Sequence, residues 1–240
     1  MRAVICGANG AMGKLIQERL GGNIAGLVSL DGENGVPKTF AELGFVNADV
    51  IVDFSHHCAV QNVLNYAKAN HCAAVIGTTG HTEEEKAAIY AAAKEIPVFY
   101  SGNMSLGIAV LCRLAKEAAA CLPDADIEII ETHHNRKVDA PSGTAWMLFE
   151  AIRQVRPNAI ANCGRAGEGK RNKNEIGICS IRRGNVVGIH EVIITTENQA
   201  LTLRHDAFDR GMLADGAVRA AKFIEGKSAG LYTMDDLLGA

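Results

Sequence analysis

Short apolar runs alternate with segments of helical periodicity along roughly the first hundred residues. The apolar runs predict strands over residues 3–6, 24–30, 48–54, 72–76 and 97–100. The segments between them predict helices over 10–20, 60–69 and 82–94, the last beginning with a capping box formed by Thr82 and Glu85. Strands that are apolar throughout and separated by helices are typical of a parallel sheet covered on both faces. This half of the chain is therefore predicted to be a doubly wound α/β unit.

The pattern changes after about residue 104. Helices are predicted over 107–121 and 144–155, and strands over 127–131, 175–181, 186–195 and 200–204. The last three strands are joined by short turns, which indicates antiparallel neighbours. A final helix is predicted over 211–224. The pattern predicts two domains, one formed by residues 1–104 with 211–240 and the other by 105–210, an α+β domain with an open, largely antiparallel sheet.

Composition narrows the class of protein. The 240 residues are 48% hydrophobic and 21% charged, as in ordinary soluble globular proteins. A net charge of −3 gives no reason to expect a nucleic-acid partner. The seven cysteines include no CxxC pair, which argues against a zinc framework or a secreted disulfide scaffold. Because no apolar run has the length of a signal peptide or a membrane span, we expect a cytoplasmic protein with no membrane association.

A glycine-rich turn follows the first predicted strand. Gly7, Gly10 and Gly13 form a GxxGxxG pattern where that strand meets the first helix. Such a turn lets backbone amides at a helix N-terminus approach a pyrophosphate, as in Rossmann-like folds. The alternative is a plain tight turn. The position of the GxxGxxG pattern directly after the first strand favours dinucleotide binding over a plain turn.

Charged residues near the second predicted strand leave the choice between NADH and NADPH open. Asp31 is the acidic residue nearest the end of the second predicted strand, where a carboxylate contacts the ribose hydroxyls and repels the 2′-phosphate of NADPH. Lys14 and Lys38 would instead favour that phosphate. The loops Gly77–Gly80 and Ser101–Met104 also follow strands, and their small residues suit the nicotinamide half of the cofactor, although both could be ordinary βα turns.

The segment from Glu131 to Ala145 concentrates candidate chemistry between a strand and a helix. Histidine can exchange a proton near neutrality, and lysine supplies a positive charge or acts as an acid. The amides of Gly143 and Thr144, with the Thr144 hydroxyl, are expected to face an anion at the helix N-terminus. The alternatives are a solvated basic loop with a simple helix cap, or metal binding by His133 and His134. No carboxylate or cysteine lies at a recognised ligand spacing from that histidine pair, so no metal is expected.

This segment resembles the signature E-x-H-H-x-x-K-x-D-A-P-S-G-T-A of the 4-hydroxy-tetrahydrodipicolinate reductase (dihydrodipicolinate reductase) family, with every fixed position present. The similarity extends in order along nearly the whole chain. It includes Gly7–Gly13, Asp53–His56, Gly77–Gly80, Asn103–Gly107, Gly188–His190 and residues 214–217. Many relatives have arginine where Ala11 stands, a departure that bears on the choice of cofactor.

The resemblance implies an NADPH- or NADH-dependent oxidoreductase of the diaminopimelate–lysine pathway that reduces 4-hydroxy-tetrahydrodipicolinate. It implies His133 and Lys137 as proton donors, and His134, Gly143 and Thr144 as ligands of the substrate carboxylates. Together with Asp31, the expected cofactor-binding residues are Gly7, Ala8, Asn9, Gly10, Ala11, Met12, Gly77, Thr78, Thr79, Ser101, Gly102, Asn103 and Met104. The resemblance also implies a homotetramer in which the domain 105–210 binds substrate and its sheets pair.

Two alternatives to this interpretation are considered, one within the enzymes and one from another class of protein. One is another NAD(P)-dependent dehydrogenase, for example of an aspartate-derived amino acid, which should lack the loop that follows His133. The other is a non-catalytic dinucleotide sensor, which usually loses its proton-transfer residues.

Overall fold

A computed structural model describes residues 1–239 and divides the chain into two compact units. The first comprises Met1–Leu106 and the described residues from Gly211 onward, and the second comprises Gly107–Arg210. The strands are β1 (Ala3–Cys6), β2 (Ile24–Val28), β3 (Val50–Asp53), β4 (Ala73–Ile76), β5 (Pro97–Tyr100), β6 (Asp126–His133), β7 (Ile160–Asn162), β8 (Glu175–Arg182), β9 (Gly188–Thr195), β10 (Ala200–Ala207) and β11 (Gly230–Tyr232). The helices are α1 (Ala11–Leu20), α2 (Phe40–Leu43), α3 (Val60–Ala69), α4 (Glu83–Ala92), α5 (Leu106–Cys121), α6 (Gly143–Arg153), α7 (Gly211–Ile224) and α8 (Met234–Leu237).

The first unit is built on a six-stranded parallel sheet in the order β11-β5-β4-β3-β1-β2. Strands β1, β3 and β4 are buried at every position, and apart from Asp53 at the end of β3 they consist of apolar residues. Helices α3 and α4 pack on the face that carries Val4 and Ile51. Helix α7 packs on the other face, where Phe223 meets Phe99 edge to face. The predicted doubly wound parallel sheet is therefore confirmed.

The second unit has a five-stranded sheet in the order β10-β9-β6-β8-β7. Helices α5 and α6 cover the face that carries Ile127 and Ile129 of β6. The pairs β9–β10 and β6–β9 are antiparallel, and β6–β8 and β7–β8 are parallel, so the sheet is mixed. One expectation from the short turns is wrong, because β8 and β9 are not neighbours and β6 lies between them. The turn that joins them crosses the end of β6, where the Asn135 amide donates to the Gly184 carbonyl (3.2 Å).

Several short elements escaped the sequence pattern. Strands β7 and β11 have three residues each, and helices α2 and α8 have four, which is too short for a periodicity to be visible. Both short strands lie at the edge of a sheet. Among residues 1–239, no helix is both long enough and apolar enough to cross a bilayer.

Gly216 of α7 lies against the backbone that follows β5, and this contact excludes any side chain. A Cβ at position 216 would lie 1.7 Å from the Met104 carbonyl oxygen. We expect Gly216→Ala to lower the free energy of unfolding by about 3 kcal/mol, because helix and loop must move apart. Gly22→Ala, where a Cβ meets no atom within 4 Å, is the matched control and should be nearly neutral. Urea unfolding measures both, and equal midpoints for the two variants would contradict this packing.

Candidate active site

In the glycine turn after β1, the backbone packs too closely around Gly7 and Gly13 for either position to carry a side chain. Gly7 has a φ of +83°, and a Cβ there would lie 2.4 Å from the Phe54 carbonyl oxygen. A Cβ at Gly13 would lie 2.2 Å from the Gly7 carbonyl oxygen. Helix α1 begins after Gly10, which has no side chain to cap it, and its first turn contains no acidic residue. The amides at this end of a ten-residue helix are therefore suited to an external anion.

Asp31 lies beyond the end of β2 and is joined to the glycine turn. The Asn9 side-chain amide donates to its carboxylate (2.5 Å) and to the Glu33 carbonyl oxygen (3.1 Å). The hydrogen bond from Asn9 lowers the pKa of Asp31 below its usual value. Lys38 lies close by, since a Cβ at Gly32 would lie 2.3 Å from its Cε. The structure thus brings Asp31 to the turn as an ionised acceptor.

The loops after β3, β4 and β5 are tied together by buried hydrogen bonds. Asp53 is fully buried and accepts from the Ser55 hydroxyl (2.5 Å) and the Thr78 hydroxyl (2.7 Å). The Ser101 amide donates to the Ile76 carbonyl (3.2 Å). A Cβ at Gly77 would lie 2.3 Å from the Phe54 ring.

One cavity of this unit opens at those loops, and a second lies beside β2. One, of about 270 Å³, is lined by residues 54–57 and 77–79. The other, of about 550 Å³, lies beyond β2 and is lined by Leu30, Lys38, Phe40 and Tyr66 among others. The loops at the carboxyl ends of these parallel strands share one edge of the sheet, which is where ligands bind in this architecture.

In the second unit, a fully buried carboxylate organises the end of β6. The Glu131 carboxylate accepts from His133 Nδ1 (2.5 Å), from both terminal nitrogens of Arg182 (2.8 Å each) and from the Ser142 amide (3.1 Å). Burial alone would favour the neutral acid, but hydrogen bonds from His133, Arg182 and Ser180 outweigh it and hold the pKa of Glu131 well below its usual value. The carboxylate is therefore ionised and fully hydrogen-bonded.

His133 and His190 face each other on neighbouring strands, with ring centroids 5.1 Å apart. Burial, followed by the charge of His133, lowers the pKa of His190 to about 3. Nε2 of His190 lies 3.4 Å from the Ser142 hydroxyl. Nε2 of His133 points toward Gly188, where a Cβ would lie 3.2 Å away.

The loop after β6 places Lys137 beside the start of α6. The Lys137 ammonium lies 2.7 Å from the Asp139 carboxylate. Lys137 and the amide of Gly143 both hold the pKa of Asp139 below its usual value. Ser142 caps the helix by accepting from the Ala145 amide (3.2 Å). The Asp139 carboxylate thus contacts both the Lys137 ammonium, which was predicted as a proton donor, and the helix N-terminus, which was predicted to bind a carboxylate.

His134 lies half-buried in the same loop. Burial, followed by the charge of Arg136, lowers the pKa of its imidazole. Within residues 1–239 its Nδ1 is buried and has no hydrogen-bond partner.

The structure therefore gathers the predicted residues into one group in each unit. His133, His134, Lys137, Gly143 and Thr144 belong to a single strand–loop–helix segment. Sequence reasoning missed Glu131, Arg182, Ser142 and His190 as parts of the site. One signal was available for Glu131, because a residue two positions before His133 on a strand shares its face. Arg182 and His190 join only through the pairing of β8 and β9 with β6.

Burial of His190 predicts that the free energy of unfolding decreases at acidic pH. Its pKa in the folded protein is about 3 against an ordinary value of 6.5, so between those values the unfolded chain binds a proton that the folded protein does not. The free energy of unfolding should fall as pH drops below about 6.5, by up to about 1.4 kcal/mol per pH unit. In urea titrations at pH 7 and pH 5, His190→Gln should show a smaller fall than the wild type. The exposed turn residue His71, changed to Asn, should keep the wild-type fall. Equal falls in wild type and His190→Gln would count against a buried neutral His190.

Known proteins share both units. The family model described as dihydrodipicolinate reductase, N-terminus, matches residues 1–104, and the model for the C-terminus matches residues 107–238. The 4-hydroxy-tetrahydrodipicolinate reductase of Caldanaerobacter subterraneus subsp. tengcongensis is 44% identical, with 99% of this chain and 98% of the relative covered. The enzyme of the same name from Clostridium novyi is 41% identical, with 99% and 98% covered.

A solved structure extends this similarity to three dimensions. Dihydrodipicolinate reductase from Paenisporosarcina sp. TG-14, with dipicolinate bound, matches with a TM-score of 0.77 and 26% identity. The match covers 97% of each chain.

Proposed function

The chain belongs to the dihydrodipicolinate reductase family, and on that premise we propose that it reduces 4-hydroxy-tetrahydrodipicolinate to tetrahydrodipicolinate with NADH or NADPH. This reaction serves the diaminopimelate pathway to lysine. The observation that carries the proposal is the segment 131–144. Within one segment it brings together His133, hydrogen-bonded to the buried Glu131 carboxylate, the Lys137 ammonium and the N-terminus of α6. Such a segment can hold a dicarboxylate and supply a proton.

The first unit fits a dinucleotide because close packing excludes side chains at Gly7 and Gly13 and the N-terminus of α1 has no side-chain cap. We assign the turn residues Gly7, Ala8, Asn9, Gly10, Ala11 and Met12 to the pyrophosphate, and Gly77, Thr78, Thr79, Ser101, Gly102, Asn103 and Met104 to the nicotinamide half. The larger cavity beyond β2 has the size and apolar lining for an adenine ring. When bound, the reduced nicotinamide supplies the hydride.

We assign substrate handling to the second unit. The amides of Gly143 and Thr144 and the imidazole of His134 hold the carboxylates, and a substrate carboxylate takes the place that the Asp139 carboxylate has beside Lys137. His133 exchanges the proton that accompanies reduction, through Nε2, and Lys137 is the second donor. The positive charge of Lys137 also stabilises electron density that develops on the substrate ring.

Asp31 is the residue that we expect to set cofactor preference. Its carboxylate, held by Asn9 at the glycine turn, is placed to accept from ribose hydroxyls and to repel a 2′-phosphate, so NADH is the preferred cofactor. Asp31→Ser should raise the ratio of kcat/KM for NADPH to that for NADH by about tenfold, because one unfavourable charge pair is lost. The control Glu33→Gln removes a neighbouring exposed acid and should leave the ratio unchanged. An unchanged ratio in Asp31→Ser would rule out this role.

For assembly and location we propose a cytoplasmic homotetramer that pairs the sheets of the second unit. The face of that sheet opposite α5 and α6 leaves Ile181 43% exposed, which suits burial against another copy. Light scattering on the purified protein measures the mass of the assembly, and a monomer at micromolar concentration would exclude the tetramer.

The direct test follows absorbance of NADH and NADPH with freshly generated substrate. We expect substrate-dependent oxidation of both cofactors, faster with NADH. Cofactor binding without any oxidation would indicate a non-catalytic sensor. Reduction of NAD⁺ by an amino acid, without turnover of the dicarboxylate, would indicate a different dehydrogenase.

A further inference from the structure

We propose that Glu131 is a positioning residue that fixes the reactive nitrogen of His133 and, through the same carboxylate, sets the position of the anion-binding end of α6. The inference rests on the proposed function for its kinetic consequences. Its structural content stands on the contacts of one buried side chain.

The first oxygen of this carboxylate orients the imidazole. Oε2 accepts from His133 Nδ1 at 2.5 Å and from Arg182 at 2.8 Å. An ionised carboxylate can only accept, so Nδ1 of His133 must carry a hydrogen. In the neutral imidazole the lone pair then lies on Nε2, and in the cation Nε2 carries the second hydrogen. Proton exchange with a substrate is thereby assigned to Nε2.

Space is left around that nitrogen. A Cβ at position 188 would lie 3.2 Å from His133 Nε2, and the residue there is glycine. Gly188 opens β9 directly opposite the end of β6. Because position 188 carries no side chain, that side of His133 Nε2 is unobstructed.

The second oxygen holds the other end of the segment. Oε1 accepts from the Ser142 amide at 3.1 Å and from Arg182 at 2.8 Å. Ser142 is the N-cap of α6, and Arg182 also donates to the Asp139 carbonyl (2.6 Å). One carboxylate thus anchors the proton donor on β6, the loop that carries Lys137, and the helix end that faces the substrate carboxylate. An error in its position would displace all three.

Titratable and charged side chains lie near His133 on its own strand, on the neighbouring strands and on the loop after β6. Glu131 lies on its own strand, Arg182 on β8 and His190 on β9, with His205 of β10 beside His190. His134 and Lys137 approach from the loop. Glu131 is the acid whose carboxylate bonds directly to the His133 imidazole. Its removal leaves the Arg182 guanidinium and the Nδ1–H of His133 without the acceptor that they share, which is unfavourable.

The first test reads the His133 imidazole directly. Long-range ¹H–¹⁵N spectra of ¹⁵N-histidine protein, with His133 assigned by loss of its signals in His133→Gln, report which ring nitrogen carries hydrogen. We expect the neutral ring to be protonated at Nδ1. A neutral ring protonated at Nε2 would overturn the proposal, and this readout needs neither substrate nor a variant at position 131.

The second test uses Glu131→Gln. We expect kcat to fall about 100-fold or more, as when a carboxylate that fixes a catalytic histidine is neutralised elsewhere. The alkaline limb of the pH–rate profile should move to lower pH, because the protonated general acid loses its counter-charge. The Kd for NADH should not change.

Glu128→Gln is the matched control, since Glu128 lies on β6 three residues earlier and on the opposite face. We expect wild-type kcat and pH profile in that variant. Wild-type values in Glu131→Gln itself would refute the positioning role. If Glu131→Gln does not fold, the tautomer of His133 measured in the wild-type protein still tests the proposal. A wild type that fails to reduce the substrate would remove the proposed function but leave the tautomer measurement as a test of Glu131.

Discussion

Replacing Lys137 with alanine is expected to lower kcat by about 10²–10⁴-fold, the usual contribution of a positioned proton donor. The structure places its ammonium at the N-terminal end of α6, against the Asp139 carboxylate. The same position serves a substrate carboxylate, so the KM for the dicarboxylate should rise as well. The Kd for NADH should stay near the wild-type value, because the predicted cofactor residues belong to the other unit.

The kinetics of this variant are compared with those of Lys173→Ala. Lys173 lies in the same unit with 86% of its side chain exposed, so its loss should leave kcat unchanged. Steady-state kinetics with both substrates and fluorescence titration of NADH separate the two effects. Turnover near that of the wild type in Lys137→Ala would show that another group supplies the proton.

His133→Gln is expected to lower kcat by a similar factor, about 10²–10⁴, and to remove one limb of the pH–rate profile. Glutamine can replace the hydrogen bond to Glu131 but cannot exchange a proton near neutral pH. The loss should therefore appear in turnover and pH dependence more than in folding. His71→Asn serves as control because His71 is exposed and lies far along the chain in the other unit. A variant with low activity but an unchanged bell-shaped profile would assign the titrating group elsewhere.

The fold could be predicted where burial leaves a clear pattern. Strands such as β1 and β4 are buried at every position, so their uniformly apolar sequence identifies them as central parallel strands. The capping box at Thr82 and Glu85 was predicted from spacing alone, and both of its hydrogen bonds are present. Such a motif can be predicted because all of its hydrogen-bonding partners lie within a few residues of one another.

What the sequence could not provide is the order of strands in the second sheet. A short turn indicates the direction of the next strand but does not show that no other strand lies between, and here β6 separates β8 from β9. The consequence reaches the site, because that insertion brings Arg182 to one side of Glu131 and His190 to the other. Both residues lie far from Glu131 in the sequence, and no local pattern links them to it.

The candidate site therefore divides into a local and a non-local part. His133, Lys137 and Thr144 stand within one contiguous segment, and a reading of residue types identifies them. The groups that orient them, Arg182 and His190, are positioned by strand pairing. In the same way, the hydrogen bond from Asn9 to Asp31 depends on the parallel pairing of β1 with β2, which brings the two loops together. Donors and acids could be predicted as candidates, whereas their partners required the fold.

We propose that the loop after β6 and the first turn of α6 form the dicarboxylate site. A crystal structure with dipicolinate bound measures this directly. We expect one carboxylate at the amides of Gly143 and Thr144, within about 3 Å of the Lys137 ammonium, with Asp139 turned away. Dipicolinate bound outside this segment, with the Lys137–Asp139 pair intact, would contradict the assignment.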